Sequence, residues 1–112
     1  DIILVEGVFD AVVAGRNTVP LLGSTLTQLS GLLQKFVKED AGVYIALDPD
    51  AKKKELEIIK TLLDFDIEVW KVDIGDNEDV GSMSKQNFQK CLNNATLITT
   101  DNYLMLTLSM SV

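Results

Sequence analysis

A chain of 112 residues is long enough for one domain with a single buried core, and 46% hydrophobic with 24% charged residues excludes wholesale disorder. A net charge of −7 opposes unaided binding to a nucleic-acid backbone, because phosphate affinity comes largely from counterions displaced by Lys and Arg. The absence of histidine and a single cysteine, Cys91, exclude His-based acid/base chemistry, an internal disulfide and a cysteine-rich zinc site, and leave oxygen-ligated chemistry.

"IILVEG" (Ile2 to Gly7) is an apolar, β-rich run stopped by Glu6 and Gly7, the pattern of a strand buried on both faces. "VFDAVVAG" follows as a short helical segment with Gly15 at the C-cap position. "TVPLLGS" reads as a second strand, with Pro20 favouring a strand start or a sheet edge. From Thr25, Leu26, Leu29, Leu32, Leu33, Phe36 and Val37 recur at helical spacing, and Thr25 with Gln28 has the form of a capping box. "GVYIAL" is a third strand ending at Asp48-Pro49-Asp50. Leu56, Ile59, Leu62 and Leu63 then mark one helix face, "IEVWKVDI" a fourth strand, "GDNEDVGS" a polar turn, and Ser84 to Leu92 a last helix.

Strands alternating with helices predict right-handed crossovers, hence a Rossmann-like three-layer α/β/α sandwich around a mainly parallel sheet of about four strands. Residues 1–92 are expected to form the main unit. The tail "ATLITTDNYLMLTLSMSV" has mixed periodicity and reads as a weakly specified helix or strand, so 93–112 is expected as an extension packing on the domain or on a neighbour. No apolar run approaches the roughly 20 residues of a membrane span, and no leader is expected from the first residues. A cytoplasmic location without membrane partners is therefore expected, with the start at Asp1 reading as a cut from a longer polypeptide.

In open parallel sheets, ligands bind outside the carboxyl ends of the strands. Glu6 ends the first predicted strand and Asp48 and Asp50 the third, so these acids converge if the two strands are neighbours. An extended Asp48-Pro49-Asp50 would turn both carboxylates to one side; the alternative is a turn with an N-cap. Crowded carboxylates raise one another's pKa, a cost that a divalent cation removes, and hard oxygen ligands favour Mg²⁺, or Mn²⁺ in its place. Lys52, Lys53 and Lys54 oppose the macrodipole of the helix they open, so they are placed to hold substrate phosphates, or else are solvated and pair with Glu55 or Glu57.

Together these residues resemble the TOPRIM domain, the metal-binding α/β module of bacterial-type primases, type IA and type II topoisomerases, OLD-family nucleases and RecR-like proteins. The resemblance covers about residues 2 to 90 and rests on "LVEGVFD" and "ALDPD" in order and strand context. "EGVFDAV", "VPLLGSTLT" and "IGDNEDVGSMSKQNF" are most similar to segments of the primases of bacteria and phages. The resemblance implies Glu6 as the acid near the reacting phosphate, Asp48 and Asp50 as the metal-binding pair, and Asp10 and Asp79 as supporting metal acids; Asp10 alternatively reads as an ordinary helix cap. Two departures stand out: Ala51-Lys52 replaces the small residue and glycine that often follow the DxD, and Asp79-Val80-Gly81 lacks a second acid.

The implied activity is RNA primer synthesis by Mg²⁺-dependent nucleotidyl transfer from nucleoside triphosphates. Single-stranded DNA template and RNA primer would be held with neighbouring domains, and a replicative helicase is a further expected partner. The same metal site would also serve a nuclease or topoisomerase, although neither Tyr44 in a predicted strand nor Tyr103 in the tail is a convincing nucleophile. A non-catalytic RecR-like module is the third reading.

Overall fold

The computed structural model describes residues 1–22, 31, 34, 38, 42–77 and 79–110, with the backbone alone at 109 and 110. In chain order the elements are β1 (Ile2–Val5), α1 (Val8–Ala14), β2 (Thr18–Pro20), β3 (Val43–Ile45), α2 (Lys52–Asp64), β4 (Val69–Lys71), a 3₁₀ turn (Val80–Ser82), α3 (Lys85–Asn93), β5 (Thr96–Ile98) and α4 (Thr100–Met110). The sheet order is β2-β1-β3-β4-β5, with parallel pairing up to β4 and β5 antiparallel to it.

Strand alternation sends successive side chains to opposite faces, and both faces are covered. Leu4, Val43, Ile45 and Val69 meet Ile58, Ile59 and Leu62 of α2 on one side, where Tyr103 and Leu106 of α4 also pack. Ile3, Val5 and Ala46 meet Val80 and Phe88 on the other, with Ala11 and Ala14 of α1 against them. The result is a three-layer α/β/α sandwich with a mostly parallel sheet. Pro20 lies in β2, an edge strand, where a missing N–H leaves no inner ladder bond unmade.

Local signals explain several boundaries. Gly15 closes α1 with φ 88°, a conformation that costs glycine least. Ser84 caps α3 by accepting the Asn87 N–H at 3.1 Å. On α2 the inward face is Glu55, Ile58, Ile59 and Leu62, so the stripe is rotated from the one expected: Leu56 is half-buried beside it and a carboxylate takes an inward place. The helix expected on Leu26, Leu29, Leu32, Leu33, Phe36 and Val37 lies outside the described residues, as do Thr25 and Gln28.

Among the described residues the sheet has five strands rather than about four. The added strand, β5, pairs Ile98 with Val69, and α4 returns over α2, so residues 96–110 supply both a strand and a helix. Only Ile98 of the three β5 residues is buried, which leaves no alternation for a sequence pattern to show. No helix among the described residues is long and apolar enough to cross a membrane.

Candidate metal centre

The parallel pairing of β1 with β3 sets Leu4 beside Ile45 and brings both carboxyl ends to one rim of the sheet. Glu6 follows β1, Asp48 and Asp50 follow β3, Asp10 rises from the first turn of α1 and Asp79 precedes the 3₁₀ turn. These five acids share one electrostatic neighbourhood. The Asp48 carboxyl is pushed up from 3.8 to about 6, first by burial and then by the negative charges of Asp10, Glu6, Asp79 and Asp50 in decreasing order. Its Oδ1 is buried with no hydrogen-bond partner among the described residues.

Two of the acids have structural work besides. Asp10, only 7% exposed, accepts the Gly7 N–H at 2.9 Å through one oxygen and the Gly81 N–H at 2.6 Å through the other. It is thus both the helix-capping group of α1 and a clamp between α1 and the 3₁₀ turn. Asp79 caps that turn, its Oδ1 accepting the Ser82 N–H at 2.8 Å. Glycine at 81 permits the close approach, since a Cβ there would stand 3.0 Å from Asp10 Oδ1.

The extended conformation expected for Asp48-Pro49-Asp50 does not form. The Ala51 N–H donates to the Asp48 carbonyl at 2.9 Å, which closes a turn with Pro49 and Asp50 at its centre. Proline pre-sets the backbone of the second turn position and aspartate suits the first. Asp50 is accordingly the weakest of the four charges acting on Asp48, and Asp10 and Glu6, far apart in sequence, act more strongly than the neighbour in the motif.

All three lysines fall in the first turn of α2, behind an Ala51 N-cap that offers no side-chain cap. Lys54 Nζ donates to Glu6 Oε2 at 3.4 Å, so this ammonium already has an acid partner at the rim. Lys53 is exposed, and Lys52 lines a cavity of about 270 Å³ with Asp48, Glu55, Lys71, Asp73 and Gly75.

Glu55 and Lys71 are the residues of this region that the sequence motifs do not reveal. Glu55 is buried and its pKa is raised by burial, against the opposing pull of Lys71 and Lys52 and with a further push from Asp73. Lys71 stands 3.9 Å from its Oε2. The available signal was helical spacing: Glu55 precedes Ile58, Ile59 and Leu62 by three, four and seven positions, which places a carboxylate on a buried stripe. Tyr44 instead stacks on Trp70, ring centroids 5.7 Å apart, and Tyr103 packs on the core, so neither is presented at the acids.

No three acidic or cysteine side chains among the described residues are gathered tightly enough to hold a metal ion together. The rim is a shared field rather than a closed coordination shell, an arrangement consistent with the mutual repulsion of carboxylates of which only Glu6 has an ammonium partner among the described residues. The residues nevertheless fit a hard divalent cation: the donors are all oxygen, and Asp48 Oδ1 is a buried acceptor with no partner among the described residues.

No family model matches the chain, and no curated protein matches it. Among solved structures, the chain is similar to a crystal structure of the Aquifex aeolicus primase that comprises its zinc-binding and RNA polymerase domains. The two share 31% identity and a TM-score of 0.68 over 87% of this chain, which spans 26% of the length of that one. The fold is primase-like.

Proposed function

We propose that this chain is the TOPRIM-type metal-binding module of a DNA primase, acting in Mg²⁺-dependent nucleotidyl transfer for RNA primer synthesis on single-stranded DNA. The observation that carries the reading is the meeting of Glu6, Asp10, Asp48, Asp50 and Asp79 on one rim, in a chain with a primase-like fold. Asp48 and Asp50 would hold Mg²⁺, or Mn²⁺ in its place, with Asp79 and Asp10 as supporting acids. When bound, such an ion supplies charge neutralisation and Lewis acidity to phosphoryl-type transfer.

The chain's own groups divide the remaining tasks. Asp10 fixes the distance between α1 and the 3₁₀ turn, and so positions Asp79 relative to the rim. Glu6, half-buried beside the rim, is the acid that stands next to the reacting phosphate in this reading. Lys52 and Lys71 offer two ammonium groups to nucleotide phosphates in the cavity next to Asp48, Lys71 being paired with Glu55 there. With a net charge of −7, the chain relies on neighbouring domains to hold template and primer.

The test is primer synthesis by the polypeptide that carries this chain, assayed on single-stranded DNA with ribonucleoside triphosphates and compared with nicking of duplex DNA. Primer synthesis that falls by about a hundredfold or more in Asp48→Ala supports the proposal. Nicking without primer synthesis turns the same acids to hydrolysis, and full activity in Asp48→Ala removes the rim from the chemistry.

A further inference from the structure

The Lys54 to Glu6 contact is unexpected for both partners. A lysine in the first turn opposes the macrodipole of α2, so helix stability does not account for its position. Glu6, in turn, sits among acids that a divalent cation would neutralise. Their side chains are 32% and 22% exposed, so the pair is partly shielded from solvent, and it ties the start of α2 to the end of β1 across 48 positions of sequence. Lys53, one position earlier, is exposed. Lys54 is therefore the cation that the fold itself supplies to Glu6, and its hold on that acid accompanies an arrangement in which no three described acids close on a common point.

We infer that Lys54 is the resident counter-ion of Glu6, and that a divalent cation entering the rim displaces it, so that metal uptake and release of the Lys54 ammonium are one coupled event. This rests on the metal-binding reading above. Two positive charges in one carboxylate cluster repel, and Glu6 Oε2 cannot serve both at full strength; what each ion gains from Glu6 is lost to the other. The ammonium thus sets the threshold for metal binding and keeps the acids partly neutralised in its absence.

The experiment measures Mn²⁺ affinity of the chain by electron paramagnetic resonance, for the unaltered protein, Lys54→Met, Lys53→Met, Glu6→Gln and the Glu6→Gln/Lys54→Met pair. Lys54→Met is expected to tighten Mn²⁺ binding about fivefold, and Lys53→Met to change it less than about twofold. In the Glu6→Gln background the Lys54 substitution should again matter less than about twofold, because the contact it relieves is already gone. On adding Mg²⁺, the Lys54 side-chain ammonium resonance should shift and that of Lys53 should not. Mn²⁺ binding that Lys54→Met leaves unchanged, or tightens equally in the Glu6→Gln background, overturns the inference while leaving the metal site standing. Absence of Mn²⁺ binding in the unaltered chain overturns both.

Discussion

At the scale of single residues, Asp48 bears an electrostatic cost at the rim, and the cost has a definite pH dependence. Its folded pKa, about 6, lies above the ordinary 3.8, so the folded chain binds the proton more tightly than the unfolded chain does. Stability from this group is therefore greatest at low pH, falls as pH rises from about 4 to about 6, and is flat above that. Asp48→Asn keeps the shape and removes the charge. In buffer free of divalent cations it should raise stability at pH 7 by about 1 kcal/mol after allowance for solvent screening, and leave stability at pH 4 nearly unchanged; urea melts at the two pH values check this. The residue types were legible because a strand-ending Glu and a DxD carry their chemistry in their letters. Their conformation was not: Pro49 favours both an extended neighbour before it and a turn around it, and the Ala51 to Asp48 hydrogen bond decides for the turn. Glu55 was legible as a charge partner for lysine but not as a buried group, because it lies within a helix rather than at a strand end and is buried by packing.

Among the elements, α1 and the 3₁₀ turn depend on one carboxylate. Both oxygens of Asp10 accept backbone N–H groups from different segments, so Asp10→Ala leaves two donors without a partner and should cost about 2 to 4 kcal/mol in metal-free buffer. Asp50→Asn, at an exposed position, should stay within about 0.5 kcal/mol under the same conditions. Equal effects of the two substitutions would contradict the clamp. Gly81→Ala tests the same joint from the other side. The new Cβ would press on Asp10 Oδ1 at 3.0 Å and on Phe9 Cβ at 3.3 Å, with an expected loss of about 1 to 2 kcal/mol in a chemical melt. Elements with strong periodicity or capping, such as α2, α3 and β3, were readable in sequence. β5 was not, because three residues with one buried side chain carry no period, and α4 presents Leu104, Met105 and Leu108 to solvent while Leu106 packs inward.

Over the whole molecule, the parallel order β1-β3 converts acids 42 positions apart, Glu6 and Asp48, into electrostatic neighbours at one rim of a sheet covered on both faces. A cation that relieves the crowding would bind the folded chain and not the unfolded one. Millimolar Mg²⁺ should then raise the thermal midpoint of the unaltered chain by a few degrees, and of Asp48→Asn by much less. An equal rise in both would mean that the ion screens the net charge of −7 without using the rim. The most direct measurement of the central claim is the anomalous difference map of crystals soaked in Mn²⁺. The account predicts a peak at bonding distance from the Asp48 carboxylate, shared with at least one of Glu6, Asp50, Asp79 and Asp10. A map with no peak at this rim, under soaking conditions that occupy other carboxylates of the chain, would contradict it.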